Sequence, residues 1–531
     1  MYPQQLIENI SLLEKTRDFR LNEKPSSLHE EEKKSLLETY HPDFKLSAFR
    51  TLRVGVNRGD RTVHEIADLL EAFSSFDYRE IDFESPDIET DVLVLGGGGA
   101  GITAALFAES TGAKVVLATK LRLGNSNTIM ALGGMQASVD ENDSPVKHFA
   151  DTMVAGQFKG RKELIRVMVD DGPRIVKWLL ELGVNFDRDE KGNLLTKKAG
   201  GSSAPRILSI GDYTGLNIIK ILKDEIRNRE NVEILEFSPA VELTTNEFGE
   251  CNGAVLFDLE RKRFFLVKAK AVVLATGGSG RLHIQGFQTS NNFGATGDAI
   301  VLAYRAGAKL EGLDSFQYHP TGIVYPDHMV GVLVTEAIRS LGAHLVNGRG
   351  ERFINELETR DVVSAAMIKE CEEGRGVKTP SGRIGVWLDT PVLTLKFGKG
   401  FLMKNFPALY RMFKRVKIDI EKRPLLVYPT LHYQNGGVLI DEKGETTVKN
   451  LFVAGEAAGG IHGRNRLMGN SLLDIFVFGR RAGLAAARRK YKDAGKQTLK
   501  HVDRYYNELK NLRITTVAKT PRIFQEFIVV K

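Results

Sequence analysis

Five short blocks in this 531-residue chain set polar side chains in otherwise apolar surroundings. They are QYHPTG (Gln317 to Gly322), LVTEAIR (Leu333 to Arg339), ETRDVVSAA (Glu358 to Ala366), YPTLHYQNGG (Tyr428 to Gly437) and AGEAAGGIHGRNRLMGNSLLD (Ala454 to Asp474). Arginine stays charged at any working pH, so Arg360 taken alone reads as an anion clamp. His319 taken alone reads as a core histidine; inside QYHPTG it reads as part of a site. A sixth stretch, DVLVLGGGGAGITAALFAESTGAKVVLATK from Asp91 to Lys120, carries phosphate chemistry. Gly96, Gly98 and Gly101 fit G-x-G-x-x-G, where a pyrophosphate meets backbone and the free N–H groups of a helix start. An acidic residue about 20 positions on normally holds the ribose in such motifs. Here the second apolar run ends in Thr119 and Lys120, which argues against an ordinary NAD site and leaves the nucleotide open.

The elements around these blocks follow from periodicity. Val92 to Leu95, the glycine turn, a helix to about Ser110 and Val115 to Ala118 make strand, turn, helix, strand. Alternating apolar runs and amphipathic helices continue to about Asp314, as in an α/β fold. Val146 to Ala155 and Arg161 to Leu182 read as helices, and AVVLATGG (Ala271 to Gly278) as a strand running into glycines. The loop from Lys197 to Gly215, with Arg206 and Asp212, suits either a phosphate-facing surface or a capped helix start. Ahead of all this, Leu28 to Tyr40 and His64 to Phe73 read as helices of an accessory segment.

Composition narrows the function further. Cys251 and Cys371 are isolated, which excludes a disulfide framework, a zinc site or an iron–sulfur ligand set within this chain. Electrons beyond a bound cofactor must then pass through another chain. No run is long enough to span a bilayer and no signal pattern opens the sequence, so a cytoplasmic location is expected. The formal charge is +7, and Arg488 to Lys531 alone holds 12 Lys or Arg against 4 Asp or Glu. That tail reads as a solvated helix, with docking on an acidic partner as the sharper alternative; no nucleic-acid-binding pattern accompanies it. Leu395 to Lys417 carries seven Lys or Arg and no acid, and reads as a basic solvated face.

In order and spacing the blocks resemble the flavoprotein subunits of succinate dehydrogenase and fumarate reductase, together with L-aspartate oxidase. The resemblance covers roughly Asp91 to Ala486. It implies an α/β protein: a Rossmann-like FAD-binding domain (90–314 and 429–487) with an inserted α+β capping domain (315–428), flanked by the accessory segment 1–89 and the basic tail 488–531. Nucleotide contacts carried over by motif are Gly96, Gly98, Gly101, Lys120, Ser126, Thr128, Gly133, Gly134, Asp298, Glu456, Arg466, Ser471 and Leu472. The ribose acid is missing in much of this family too. His432 and Arg466 match residues holding one substrate carboxylate, and His319, Thr335 and Glu336 match those around the other. Arg360 matches the arginine assigned as proton donor, a role that rests on the resemblance, since arginine is a poor acid. No metal is implied.

Three departures qualify the match. Asn127 stands where respiratory members link a histidine covalently to FAD, so the flavin is expected to be held by contacts only, which favours fumarate reduction. Leu341 stands at the second glutamate of T-E-x-x-R-G-E-G, the position expected to relay protons to the catalytic arginine. The stretch from His319 to Thr335 is about four residues longer than usual. The expected activity is interconversion of fumarate and succinate, or of a related unsaturated dicarboxylate, with electrons from an iron–sulfur or NADH-oxidising subunit. L-aspartate oxidase, and an electron-transferring flavoprotein subunit with an altered dicarboxylate site, are the alternatives.

Overall fold

The computed structural model describes residues 2–74, 81–489, 494–516 and 518–523. Val92 to Leu95 and Val115 to Ala118 are fully buried runs, as a parallel strand covered on both faces requires. They lie in a seven-stranded sheet in the order Ala240–Thr245, Cys251–Asp258, Arg263–Leu274, Ile88–Leu95, Val115–Ala118, Val232–Leu235. Leu451–Val453 pairs in parallel with the end of Arg263–Leu274, bringing the late part of the chain into the same sheet. The helix Asn470–Ala487 crosses it and packs on Gly99–Glu109, where Gly479 and Gly483 let the two backbones approach. This is the α/β nucleotide fold, and its core also takes in Phe49, Leu52, Val63 and Ile66 from the N-terminal segment.

A second core lies under a five-stranded antiparallel sheet built from Phe316–Ile323, Leu425–Gln434, Ile384–Asp389, His344–Val346 and Val377–Lys378. The helix Arg360–Glu372 packs on its first strand. The segment 1–89 divides between the two cores. Helix Gln4–Asn22 buries Leu6, Ile10 and Leu13 in the cap core. Its Arg17 and Arg20 both reach the buried Asp389 at 2.9 Å. The second helix starts at Glu30 rather than Leu28, and the third ends at Leu70, after which Phe73–Ser74 pairs with Lys519–Thr520 as parallel strands.

Three surface expectations change. Asp212 neither faces a phosphate nor caps the helix that follows it; its carboxylate accepts the N–H groups of Ala408 and Leu409 at 3.2 and 3.1 Å, capping helix Pro407–Arg415 across the domain boundary. Arg206 is spent on Asp143 and Asp151, at 2.8 and 2.5 Å. The tail is not simply solvated: helix Lys500–Asn511 buries Val502, Tyr505 and Leu509 against the body. Residues 490–493, 517 and 524–531 of that tail lie outside the described residues.

Candidate active site

The strand Ile88–Leu95 delivers the chain into Gly96 at φ +122°, a conformation that disfavours a side chain. A Cβ there would sit 2.2 Å from the Ala275 carbonyl oxygen, and one on Gly101 only 1.8 Å from that of Gly96. Gly101 therefore serves the packing of helix on strand, while Gly96 and Gly98 line a cavity of about 520 Å³. Thr128 Oγ1 accepts the Gly99 N–H at 3.2 Å and fixes the helix start. Lys120 Nζ donates at 2.7 Å to Asp298 Oδ2 and to Thr296 Oγ1. Ser126, Thr128, Gly133, Gly134, Asp298, Glu456, Ser471 and Leu472 also line this cavity. So do residues the motif reading passed over, notably Thr276, whose buried Oγ1 has no partner among the described residues.

The cavity runs from the glycines to a polar centre that includes His319, Thr335, Glu336, Arg360, His432 and Arg466. Strand Phe316–Ile323 is buried along its length, so its polar side chains must find partners inside. His319 Nδ1 accepts the Thr321 N–H at 3.2 Å, which places the ring proton on Nε2, 4.0 Å from Glu336 Oε2. His432 Nδ1 meets Ser290 Oγ at 2.8 Å, and the two rings stand edge to face at 5.2 Å. Arg360 begins its helix; its Nε donates to Glu336 Oε2 at 2.6 Å and its Nη1 to Gln317 Oε1 at 2.8 Å. Arg466 Nη2 donates to the same Gln317 oxygen at 3.0 Å. Gln317 thus ties the two arginines together, a role its place in QYHPTG did not announce. Arg339 Nη2 lies 3.4 Å from Glu336 Oε2.

Burial, and then the guanidinium of Arg360, hold His319 well below the usual histidine range. Burial and the guanidinium of Arg466 do the same for His432. For Glu336 burial pushes upward, but Arg360 and Arg339 outweigh it and keep the carboxyl below its ordinary value. Burial and the neighbouring Arg360 bring Arg466 down to about 10. Burial raises Glu456, which accepts from the Gln434 N–H and from Asn127. Arg360, Arg339 and Arg466 thus all hold the Glu336 carboxyl below its ordinary value beside two neutral histidines, and Arg360 and Arg466 line the cavity where an anionic ligand can meet them.

Position 341 does not meet the arginine, and another residue does. Leu341 lies beyond the single turn Ala337–Ser340 and is 36% exposed, while the carboxylate on Arg360 belongs to Glu336. The lengthened loop does reach the site, with His328, Val330, Val332 and Leu333 among the cavity walls. Asn127 is engaged by protein: its Nδ2 donates to Asn291 Oδ1 at 2.6 Å and Glu456 Oε2 at 3.0 Å, and its Oδ1 accepts the Asn292 N–H at 2.6 Å. Cys251 and Cys371 are both buried and free. Among the described residues no group of His, Cys, Asp and Glu is placed to hold a metal ion.

Residues 91–472 match the family described as FAD binding domain. The chain is 40% identical over 429 residues to a subunit of the fumarate reductase (CoM/CoB) of Methanothermobacter marburgensis, covering 79% of this chain and 75% of that one. It is 37% identical over 415 residues to an L-aspartate oxidase of Streptomyces coelicolor, covering 75% and 69%. Among solved structures, FrdA of E. coli quinol fumarate reductase superposes with a TM-score of 0.72 at 29% identity, over 80% of this chain and 74% of that one.

Proposed function

The chain belongs to the FAD binding domain family, among the flavoproteins of fumarate reductase and L-aspartate oxidase, and from that premise we propose that this FAD-dependent oxidoreductase reduces fumarate or a closely related unsaturated dicarboxylate. The observation that carries the reading is the charge of the polar centre. Arg360 and Arg466 both line the cavity, tied together through Gln317, and present two guanidinium groups suited to the carboxylates of a dianion. The nucleotide end fits FAD: backbone replaces side chains at Gly96 and Gly98, a helix start faces the cavity, and Thr276 Oγ1 is free to bond a ligand.

When bound, FAD supplies a hydride from its N5 to one alkene carbon. His432 and Arg466 hold one carboxylate of the substrate, and His319 Nε2–H with Thr335 holds the other. Charge that builds on a carboxylate during transfer meets donors already fixed by folding. Arg360 gives a proton to the adjacent carbon from the opposite side, and Glu336, 2.6 Å from its Nε, restores it with Arg339 behind. In this reading electrons come from a partner subunit, in keeping with the similarity to a protein described as a fumarate reductase subunit. Among the described residues no helix is long and apolar enough to cross a membrane.

Photoreduced protein mixed with fumarate tests the reading: the flavin should reoxidise and succinate should form. Arg360→Ala should lose at least about a hundredfold in rate while keeping FAD, a loss of the size general acid catalysis supplies. Near wild-type turnover in that variant would reject the assignment, and hydrogen peroxide formed from L-aspartate would select an oxidase instead. Asn127 cannot form the covalent flavin link, so acid precipitation should leave all FAD in the supernatant.

A further inference from the structure

Arg466 is a buried cation, 4% exposed, with no carboxylate in contact among the described residues. Its Nη2 shares the Gln317 amide oxygen with Arg360, its Nη1 reaches the Leu467 carbonyl at 3.5 Å, and its Nε has no partner among the described residues. What lies against it is the face of Tyr433, with the guanidinium carbon 4.5 Å from the ring centroid. The Tyr433 hydroxyl donates to Asp474 Oδ2 at 3.0 Å, and His462 Nε2 meets the same oxygen at 2.6 Å. Asp474 is 0% exposed and His462 2%. Neither His462 nor Asp474 touches the cavity, and Asp474 belongs to the first turns of helix Asn470–Ala487.

We propose that Asp474, acting through Tyr433 and itself held by His462, is a counter-charge that keeps Arg466 in its carboxylate-binding pose. These three are positioning residues, and the inference rests on the dicarboxylate reading above. A phenol that donates to a carboxylate carries extra electron density on its ring, and a cation desolvated over such a face is held more firmly. Tyr433 also follows His432 on one strand, at an irregularity of the pairing where Gln317 stands opposite Tyr433 and Tyr318 opposite Leu431. Fastening Tyr433 to the helix therefore fixes the backbone that presents His432. In this way one helix sets both groups assigned to the same substrate carboxylate.

The test compares wild type, Asp474→Asn, Tyr433→Phe and Tyr433→Leu, all FAD-loaded. Malonate and acetate are titrated by the flavin absorbance change, with KM and kcat for fumarate, FAD content and melting temperature measured alongside. Asp474→Asn and Tyr433→Leu should weaken malonate binding and raise KM by about tenfold or more, with kcat within about threefold and FAD retained. Tyr433→Phe keeps the ring and should lose about threefold. Wild-type affinity in Asp474→Asn overturns the proposal; if that variant does not fold, wild-type affinity in Tyr433→Phe does so. Acetate needs only one clamp, so wild-type protein that binds acetate but not malonate would overturn the dicarboxylate reading while Arg466 could still be followed in the variants.

Discussion

Glu336 does two things that pull in opposite directions. It neutralises part of a strongly cationic centre, and it must still hand a proton to a group that holds its own tightly. Its 2.6 Å contact with Arg360 Nε favours the ionised form, so its charge and not only its shape should matter. Glu336→Gln keeps the hydrogen-bonding outline and is expected to lower kcat roughly a hundredfold, with a smaller change in KM. Leu341→Glu should leave kcat within about twofold in the same assay, because position 341 is at the surface. A rescue of Glu336→Gln by Leu341→Glu would contradict this assignment. The two positions are five residues apart, which turns a helix by about 140°, so a motif that aligns both as glutamates cannot say which one faces the arginine.

The nucleotide cradle depends on strand, turn and helix meeting without side chains between them. Gly101→Ala would drive a methyl to 1.8 Å from the Gly96 carbonyl oxygen, a backbone atom that cannot move aside as a side chain could. That variant should purify without FAD or not fold at all, measured as the ratio of flavin to protein absorbance. Full flavin occupancy would show that helix and strand can separate there. This much was legible from spacing alone, since G-x-G-x-x-G after a buried strand states its own geometry. The capping of Pro407–Arg415 by Asp212 was not, because donor and acceptor lie 196 and 197 residues apart and nothing local marks the pair.

Over the whole molecule, seven histidines among the described residues are pushed down by burial: His41, His148, His283, His319, His344, His432 and His501. His148 falls to about 4 and His501 to about 3. The unfolded chain takes up these protons near pH 6.5 and the folded one does not, so stability is full above that pH and declines as it falls toward 4. By pH 5 a histidine held that low costs about 2 kcal/mol. Burial raises Asp43, Glu242, Glu311 and Glu456, which act in the reverse sense, but they are fewer. Melting of the FAD-loaded protein should therefore occur several degrees lower at pH 5 than at pH 7; an equal or higher midpoint would mean these histidines are not held neutral. The sequence by itself determined the nucleotide turn, the α/β pattern and the types of residue in the polar blocks, because each is written within a few residues of chain. Only the tertiary structure decided that Glu336 and not position 341 faces Arg360, that Gln317 joins two arginines, and that the first helix belongs to the cap core. Those outcomes depend on contacts between segments far apart in the chain, and local pattern places no constraint on which distant groups share a cavity.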